Sequence, residues 1–266
     1  MSALVENRES DKESFRIGNI SSMDEMIEKG NEPSVKKKFI AECLGTLLLI
    51  FIACGVGVYS DFQINPTSVA GGLVVTGLVY AFQKVSGAHF NPAVSLAMCI
   101  IKKITLKEFF YYFGAQFIGS MIGSALVAFC RKGKFDILGS TKIGDYLLYL
   151  NDTKERKLDT WCYISALFCE IFITFILIIV VLASTVKKNN YNNLTGLVVG
   201  LTLIFLIYTG FYVTGSSMNP VRSFAPAFFE AVVDGNTTAI KQIWIYIAGP
   251  FIGSSFAVLL YLNIYN

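Results

Sequence analysis

Ser86-Gly87-Ala88-His89-Phe90-Asn91-Pro92-Ala93-Val94 is echoed 128 residues later by Thr214-Gly215-Ser216-Ser217-Met218-Asn219-Pro220-Val221-Arg222. In each copy a turn of small residues runs into Asn-Pro and then into helix formers. Asn is a good helix cap, and Pro, which has no N–H to lose, suits the first helical position. Each Asn-Pro therefore marks a helix N-terminus, an end that carries about half a positive charge and unsatisfied N–H donors. A capped turn accounts for either copy alone. Two copies in matched surroundings ask for more, because both lie in a chain otherwise suited to a lipid bilayer. Irregular backbone at that depth is tolerated only where protein buries it or water lines it. The two stretches point to a water-lined passage.

Of the 266 residues, 54% are hydrophobic and 15% charged, and the mean hydropathy of +0.56 is too apolar for an ordinary soluble domain of this length. The chain reads as an all-α integral membrane protein. A net charge of +3, with lysines at the ends of apolar runs, offers nucleic acid no surface. Residues 1–35 are polar and mixed in charge and read as a flexible cytosolic tail, in which Met23, Met26 and Ile27 are spaced for a short surface helix. With no apolar core behind a charged start, the first span is expected to act as its own insertion signal. Apolar runs at about 39–59, 68–85, 106–130, 161–186, 194–213 and 242–263 each approach the ~20 residues that cross a bilayer. Two shorter runs, 92–101 and 220–233, begin at the Asn-Pro pairs. At about 1.5 Å per residue each reaches halfway across, so the two end to end complete one crossing.

Lysines set the orientation. Lys36, Lys37 and Lys38 precede the first span, Lys102, Lys103 and Lys107 lie between the second and third, and Lys187 and Lys188 follow the fourth, which places these loops and both termini in the cytosol. The segment 131–160 holds Arg131, Lys132 and Lys134, but it is long and also carries Asp136, Asp145, Asp152, Glu155 and Asp159. The repeat extends beyond the two motifs. Glu42 precedes Asn91 by 49 residues, and Glu170 precedes Asn219 by the same interval. Phe117-Ile118-Gly119-Ser120 and Phe251-Ile252-Gly253-Ser254 occupy the third span of each half. With three spans per half, about 36–131 and 160–263, the second half is upside down relative to the first. The half-helices then enter from opposite faces and meet near the midplane.

These residues resemble the aquaporin, or major intrinsic protein, family over about residues 36–263. The resemblance rests on the stretch Ser86 to Val94, on Asn219-Pro220-Val221-Arg222-Ser223-Phe224, on one Glu in the first span of each half, and on the paired Phe-Ile-Gly-Ser runs. It implies six transmembrane helices with two re-entrant half-helices in an inverted repeat. It also implies a homotetramer with a water-filled pore in each subunit, passing water and small neutral solutes such as glycerol or urea, with no cofactor. Val221 departs from the Ala usual in the family pattern and adds two methyl groups where the half-helices meet.

On that resemblance Asn91 and Asn219 each aim an amide donor at the middle of the pore, beside two inward-pointing helix dipoles. A water there accepts from both and relays no proton, while the dipoles repel cations, as is general for aquaporin-type pores. Arg222 lies where a charge costs at least ~2.5 kcal/mol on insertion scales. The family places it at the outer constriction; snorkelling to the headgroups is the alternative. By spacing, the constriction comprises Gly71, Ile207, Ser216 and Arg222. Strict water channels have an aromatic residue and His at the first two positions, so the ring reads as wider and less polar, with Tyr208 entering if the register shifts by one. Ser223, Ala227 and Tyr246, and the absence of Asp after Arg222, fit the water-channel pattern, whereas Ile247 fits the glycerol pattern. Glu42 and Glu170 are expected to accept bonds from N–H groups of the re-entrant loops, with a proton relay as the alternative. His89, the only histidine, either lines the passage and senses pH or is a hydrogen-bonded wall residue.

Two other classes compete. One is an ion-coupled carrier with broken helices, which lacks an acidic ion site; the other is a closed-pore structural membrane protein, to which Val221 and the cluster of Tyr208, Phe211 and Tyr212 lend some support. No Ser/His/Asp, Cys/His or metal-ligand constellation suggests an enzyme. The six cysteines read as packing residues, with Cys130 and Cys162, near span ends, a candidate pair. In the loop 187–193 Tyr191 is large enough to plug a cytosolic mouth or else anchors at the headgroups. Phosphorylation of Ser10, Ser14, Ser21, Ser22 or Ser34 would draw Lys187 and Lys188 away from that mouth. The topology is directly testable: Asn151-Asp152-Thr153 and Asn236-Thr237-Thr238 are glycosylation acceptors in outside loops, whereas Asn193-Leu194-Thr195 faces the cytosol. A glycosidase mobility shift is expected to shrink on mutating Asn151 or Asn236 in turn and to be indifferent to Asn193; modification of Asn193 would invert the orientation.

Overall fold

Six helices among the described residues are long and apolar enough to cross a membrane. They belong to a computed structural model that describes residues 33–150, 158–185 and 192–265. The chain divides into Met1–Val35 and a unit of Lys36–Asn266, and the membrane helices build the second of these. The spanning helices are α1 (Val35–Tyr59), α2 (Ile64–Ser86), then, after the short α3 (Pro92–Ile100), α4 (Leu106–Cys130). A one-turn α5 (Asp145–Leu150) leads to α6 (Thr160–Thr185) and α7 (Thr195–Thr214). The second short helix, α8 (Pro220–Val233), is followed by α9 (Thr238–Lys241) and α10 (Ile243–Tyr265). The spans and both half-helices lie within a few residues of the ranges expected from hydropathy.

Local chemistry sets the ends that matter. Helices α2 and α7 stop at Gly87 and Gly215, whose left-handed conformations (φ +86° and +76°) return their N–H groups to the carbonyls of Gln83 and Phe211. This is the termination only glycine makes without penalty. Half-helices α3 and α8 start at Asn91 and Asn219, whose side chains accept from Ala93 N and Arg222 N, with Pro next in line.

The repeat is physical as well as sequential. A Cβ on Gly119 of α4 would strike the Cys43 carbonyl of α1, and one on Gly253 of α10 would strike the Ile171 carbonyl of α6. Cys43 and Ile171 are 128 residues apart, so each half makes the same backbone-to-backbone contact. Helices α2 and α7 cross at Gly72 and Gly200, again 128 apart, where a Cβ on Gly200 would lie 2.6 Å from the Gly72 carbonyl oxygen. Small residues permit this approach, which is how helices gain contact in a lipid solvent that offers little hydrophobic drive. Both half-helices pack against α4 and α10, and they touch each other. Polar Glu42, Gln116, Glu170 and Asn219 are buried, whereas Phe129, Trp161, Phe168 and Phe205 are exposed. That inversion of the soluble pattern suits a chain bathed in lipid.

The candidate pair is not formed: Cys130 and Cys162 are not joined, and all six cysteines are free of disulfides. The Cys162 thiol is instead aimed at the Leu147 carbonyl, 3.7 Å away. Residues 1–32, where a short helix is expected, and Asn151 and Tyr191 lie outside the described residues. The α2–α7 crossing gives a test. Gly200→Val places side-chain atoms on Thr76 and the Gly72 carbonyl and is expected to destabilise the fold by about 3 kcal/mol or more, read as a lower unfolding midpoint in detergent. An unchanged midpoint would show that the helices separate freely.

Candidate functional site

Each re-entrant loop reverses the chain within five residues by using left-handed backbone. Beyond Gly87, Ala88 (φ +55°) and Phe90 (φ +49°) are left-handed; beyond Gly215, so are Ser216 (φ +51°) and Met218 (φ +54°). Residues with a Cβ resist this conformation at about 1–3 kcal/mol each and keep it only where surroundings over-determine it.

Buried carboxylates supply that constraint. Glu42 accepts from His89 N (2.9 Å) and Phe90 N (2.7 Å), and Glu170 from Ser217 N (2.9 Å) and Met218 N (2.9 Å). The Ser86 hydroxyl donates to Glu42 at 2.6 Å and that of Thr214 to Glu170 at 2.7 Å, while the same oxygens accept from Ala88 N and Ser216 N. Tyr112 and Tyr246 donate to the carbonyls of Ser86 (2.7 Å) and Thr214 (2.9 Å). Each of these bonds has its counterpart in the other half. Both carboxylates are fully buried, and their bonds run to loop donors as the N–H-acceptor expectation requires. The fit of side chains differs: Phe90 takes the space a side chain at Gly45 would need, whereas Met218 shares a core cluster with Ile173 at the matching position.

The loops are also bonded to each other. Asn91 Nδ2 donates to the Met218 carbonyl at 2.8 Å, and Asn219 Nδ2 to the Phe90 carbonyl at 2.9 Å. Their Oδ1 atoms cap the half-helices, accepting from Ala93 N (2.8 Å) and Arg222 N (3.4 Å). An amide carries two N–H donors, so each Asn keeps one beyond this crossed pair. Ala93 and Val221 are buried behind them, and the Ala93 carbonyl accepts from Ser254 at 2.7 Å. His89 Nδ1 is 3.1 Å from Ser95 Oγ, and its ring lies 4.9 Å from that of Tyr112. Gln116 joins the group, donating to Glu42 (2.9 Å) and to Ser95 (3.0 Å). Sequence reasoning overlooked Ser95, Tyr112 and Gln116; the pairing of Tyr112 with Tyr246, at the same offset as the Phe-Ile-Gly-Ser runs, was the available signal.

The structure brings together Gly71, Ile207 and Ser216. A Cβ at Gly71 would sit 2.6 Å from Ile207 Cδ1, so Ile207 occupies the space that a bare Gly71 would have left open. Ser216 Oγ lies 3.1 Å from the Ile207 carbonyl and 3.3 Å from that of Leu206, so the hydroxyl is turned to α7. Tyr208 is exposed and donates to Asn65 at 2.7 Å. Arg222 is half-buried rather than stretched to the surface, and its Nη1 donates to the Gly139 carbonyl at 2.6 Å. Gly139 belongs to the segment 136–144, which sequence reading treated only as a connector. Arg131 anchors its start, donating to Asp136 (2.6 Å) and to the Ile137 carbonyl (2.8 Å), and that hydrogen bond holds the Asp136 carboxyl below its usual range. Among the described residues no group of His, Cys, Asp and Glu is arranged to hold a metal ion.

A model of the major intrinsic protein family matches residues 29–261. The chain belongs to the major intrinsic protein family. Among relatives of this family member, glycerol uptake facilitator protein-like 6 of Lactiplantibacillus plantarum is 34% identical over 221 residues, covering 83% of this chain and 94% of that protein. Nodulin-26 of Glycine max is 31% identical over 223 residues, covering 82% and 74%. The X-ray structure of the aquaglyceroporin from Plasmodium falciparum superposes with a TM-score of 0.73 at 26% identity, covering 86% of this chain and 96% of that one. This major intrinsic protein is thus an integral, multi-pass membrane protein.

The carboxylate clamp makes a prediction. Glu170→Ala leaves the buried N–H groups of Ser217 and Met218 without their acceptor, at about 1–3 kcal/mol each. The unfolding midpoint is expected to fall well below that of Glu170→Gln, which keeps one acceptor oxygen. Equal midpoints for wild type and Glu170→Ala would show that the loop holds its own shape.

Proposed function

We propose that this chain is a passive channel for water and for small neutral solutes of the glycerol or urea kind, excluding protons and ions. The observation that carries the reading is the crossed pair of bonds from Asn91 and Asn219 to the opposite loop. It fixes both amides where the half-helices meet and leaves each a donor for a passing hydroxyl or water. A molecule that must accept from both Asn cannot keep a proton wire through the midpoint, and two helix N-termini oppose cations there. The names of the relatives, a glycerol uptake facilitator and an aquaglyceroporin, support a solute larger than water. The family assignment disfavours the ion-coupled carrier and closed-pore readings.

In this reading Gly71, Ile207, Ser216 and Arg222 form the selective constriction, with Ile207 as an apolar wall facing a solute's carbon backbone and Arg222 as donor to its hydroxyls. The chain works as a homotetramer with both termini in the cytosol. Residues 1–35 and Tyr191 act at the cytosolic mouth.

Stopped-flow swelling of vesicles holding the purified protein tests the function. Water and glycerol are both expected to cross, and Asn219→Leu is expected to slow water by about fivefold, the worth of one lost hydrogen bond. Because Ile207 fills the space beside Gly71, the two must be changed together: Gly71→Phe with Ile207→His is expected to suppress glycerol while water persists. Unchanged water flux in assembled Asn219→Leu would refute the midpoint assignment, and exclusion of glycerol and urea by wild type would refute the solute.

A further inference from the structure

The group that orients Arg222 is a backbone carbonyl on a buried stretch outside any helix, and a carbonyl is only as well placed as the segment that carries it. Gly139 has φ +79°, and a Cβ there would press on Cys54 at 3.0 Å, so the segment lies hard against α1. Its neighbours on either side are held by one side chain. Glu230, in the last turns of α8 and 4% exposed, accepts from Leu138 N at 2.8 Å with one oxygen and from the Ser140 hydroxyl at 2.6 Å with the other. Gly139 is the residue between those two donors. Farther along, Thr141 and Ser223 hydroxyls are hydrogen-bonded, and Ile143 N donates to Gln242 at 2.7 Å.

We propose that Glu230 is a positioning residue for permeation: by gripping Leu138 and Ser140 it sets the Gly139 carbonyl, and through it the Arg222 guanidinium, across one end of the passage. The proposal rests on Arg222 belonging to the constriction. Nothing in the second Asn-Pro motif requires a carboxylate eleven residues beyond Asn219, and the matching position of the first half-helix is Lys102, past the end of α3. The device is therefore not part of the repeat. It is built on one end only, the end that carries Arg222. A buried carboxylate held by two donors has little freedom to move, which makes it a rigid fastening for a segment that has no helix ladder of its own to hold it.

The test uses the full-length protein in vesicles. Glu230→Ala is expected to raise the ratio of glycerol to water permeability by about threefold, as a freed Arg222 ceases to narrow the opening, with Ser140→Ala shifting it less in the same direction. Glu230→Gln, whose amide oxygen still accepts from Leu138 N while its NH2 faces Ser140, is expected to recover most of the wild-type ratio. In an Arg222→Ala background Glu230→Ala is expected to change nothing further, since its effect passes through Arg222. A wild-type ratio in Glu230→Ala, or the same increment on top of Arg222→Ala, overturns the proposal. Should Glu230→Ala not assemble, a wild-type ratio in Ser140→Ala overturns it. A second readout does not depend on flux: phenylglyoxal modification of Arg222, followed by mass spectrometry, is expected to run about threefold faster in Glu230→Ala and Ser140→Ala. If wild type conducts neither water nor glycerol, the channel reading fails, and the phenylglyoxal rates alone decide whether Glu230 positions Arg222.

Discussion

A carboxylate sealed among helices, accepting N–H bonds from a backbone that could not otherwise hold its shape, is the interaction on which the rest of this structure depends. Left-handed Ala88, Phe90, Ser216 and Met218 are each unfavourable, and their N–H and C=O groups lie where little water can satisfy them. Glu42 and Glu170 meet the donors of His89, Phe90, Ser217 and Met218, and Asn91 and Asn219 meet the carbonyls of Met218 and Phe90, respectively. Once these bonds are made, the helix N-termini that follow have no freedom to drift. A charge buried at that depth is costly without partners; here the partners are the loop itself, so the cost becomes shape.

The doubling of this clamp is what turns two loops into one site. Each half supplies a half-helix that reaches only part of the way across, and each is held between α4 and α10, one from either half. Close backbone contacts at Gly119, Gly253, Gly72 and Gly200 leave little slack in that arrangement. On this symmetric frame the chemistry is uneven. Arg222 has Val94 as its counterpart and His89 has Ser217, so the second half carries a permanent charge where the first carries none, and the first a hydrogen-bonded imidazole where the second has a hydroxyl.

The uneven end recruits a third component. Segment 136–144 lies between the two halves in sequence, yet it is stitched to the second half by Glu230, Ser223 and Gln242 and contributes the carbonyl that holds Arg222. An arginine offers five donors in a rigid fork. One of them is taken by Gly139, so a segment without regular structure that does not belong to the repeat is bonded to Arg222.

Much of this was written in the chain. Hydropathy located the spans because a bilayer demands about 20 apolar residues in a row, and Asn-Pro located the half-helices because capping and proline geometry are local. The interval of 49 residues between each Glu and its Asn exposed the repeat and, with it, the acceptor role of both carboxylates. Spacing alone did not say which of the adjacent Ile207 and Tyr208 meets Gly71, because only the rotation of α7 against α2 decides that Ile207 faces Gly71 while Tyr208 turns to Asn65. The Cys130–Cys162 pairing was open for the same reason, and the aim of the Cys162 thiol at Leu147 closed it. Glu230 was invisible from the sequence: its partners Leu138 and Ser140 lie about 90 residues away, and a contact at that distance along the chain exists only after packing has brought the two segments together.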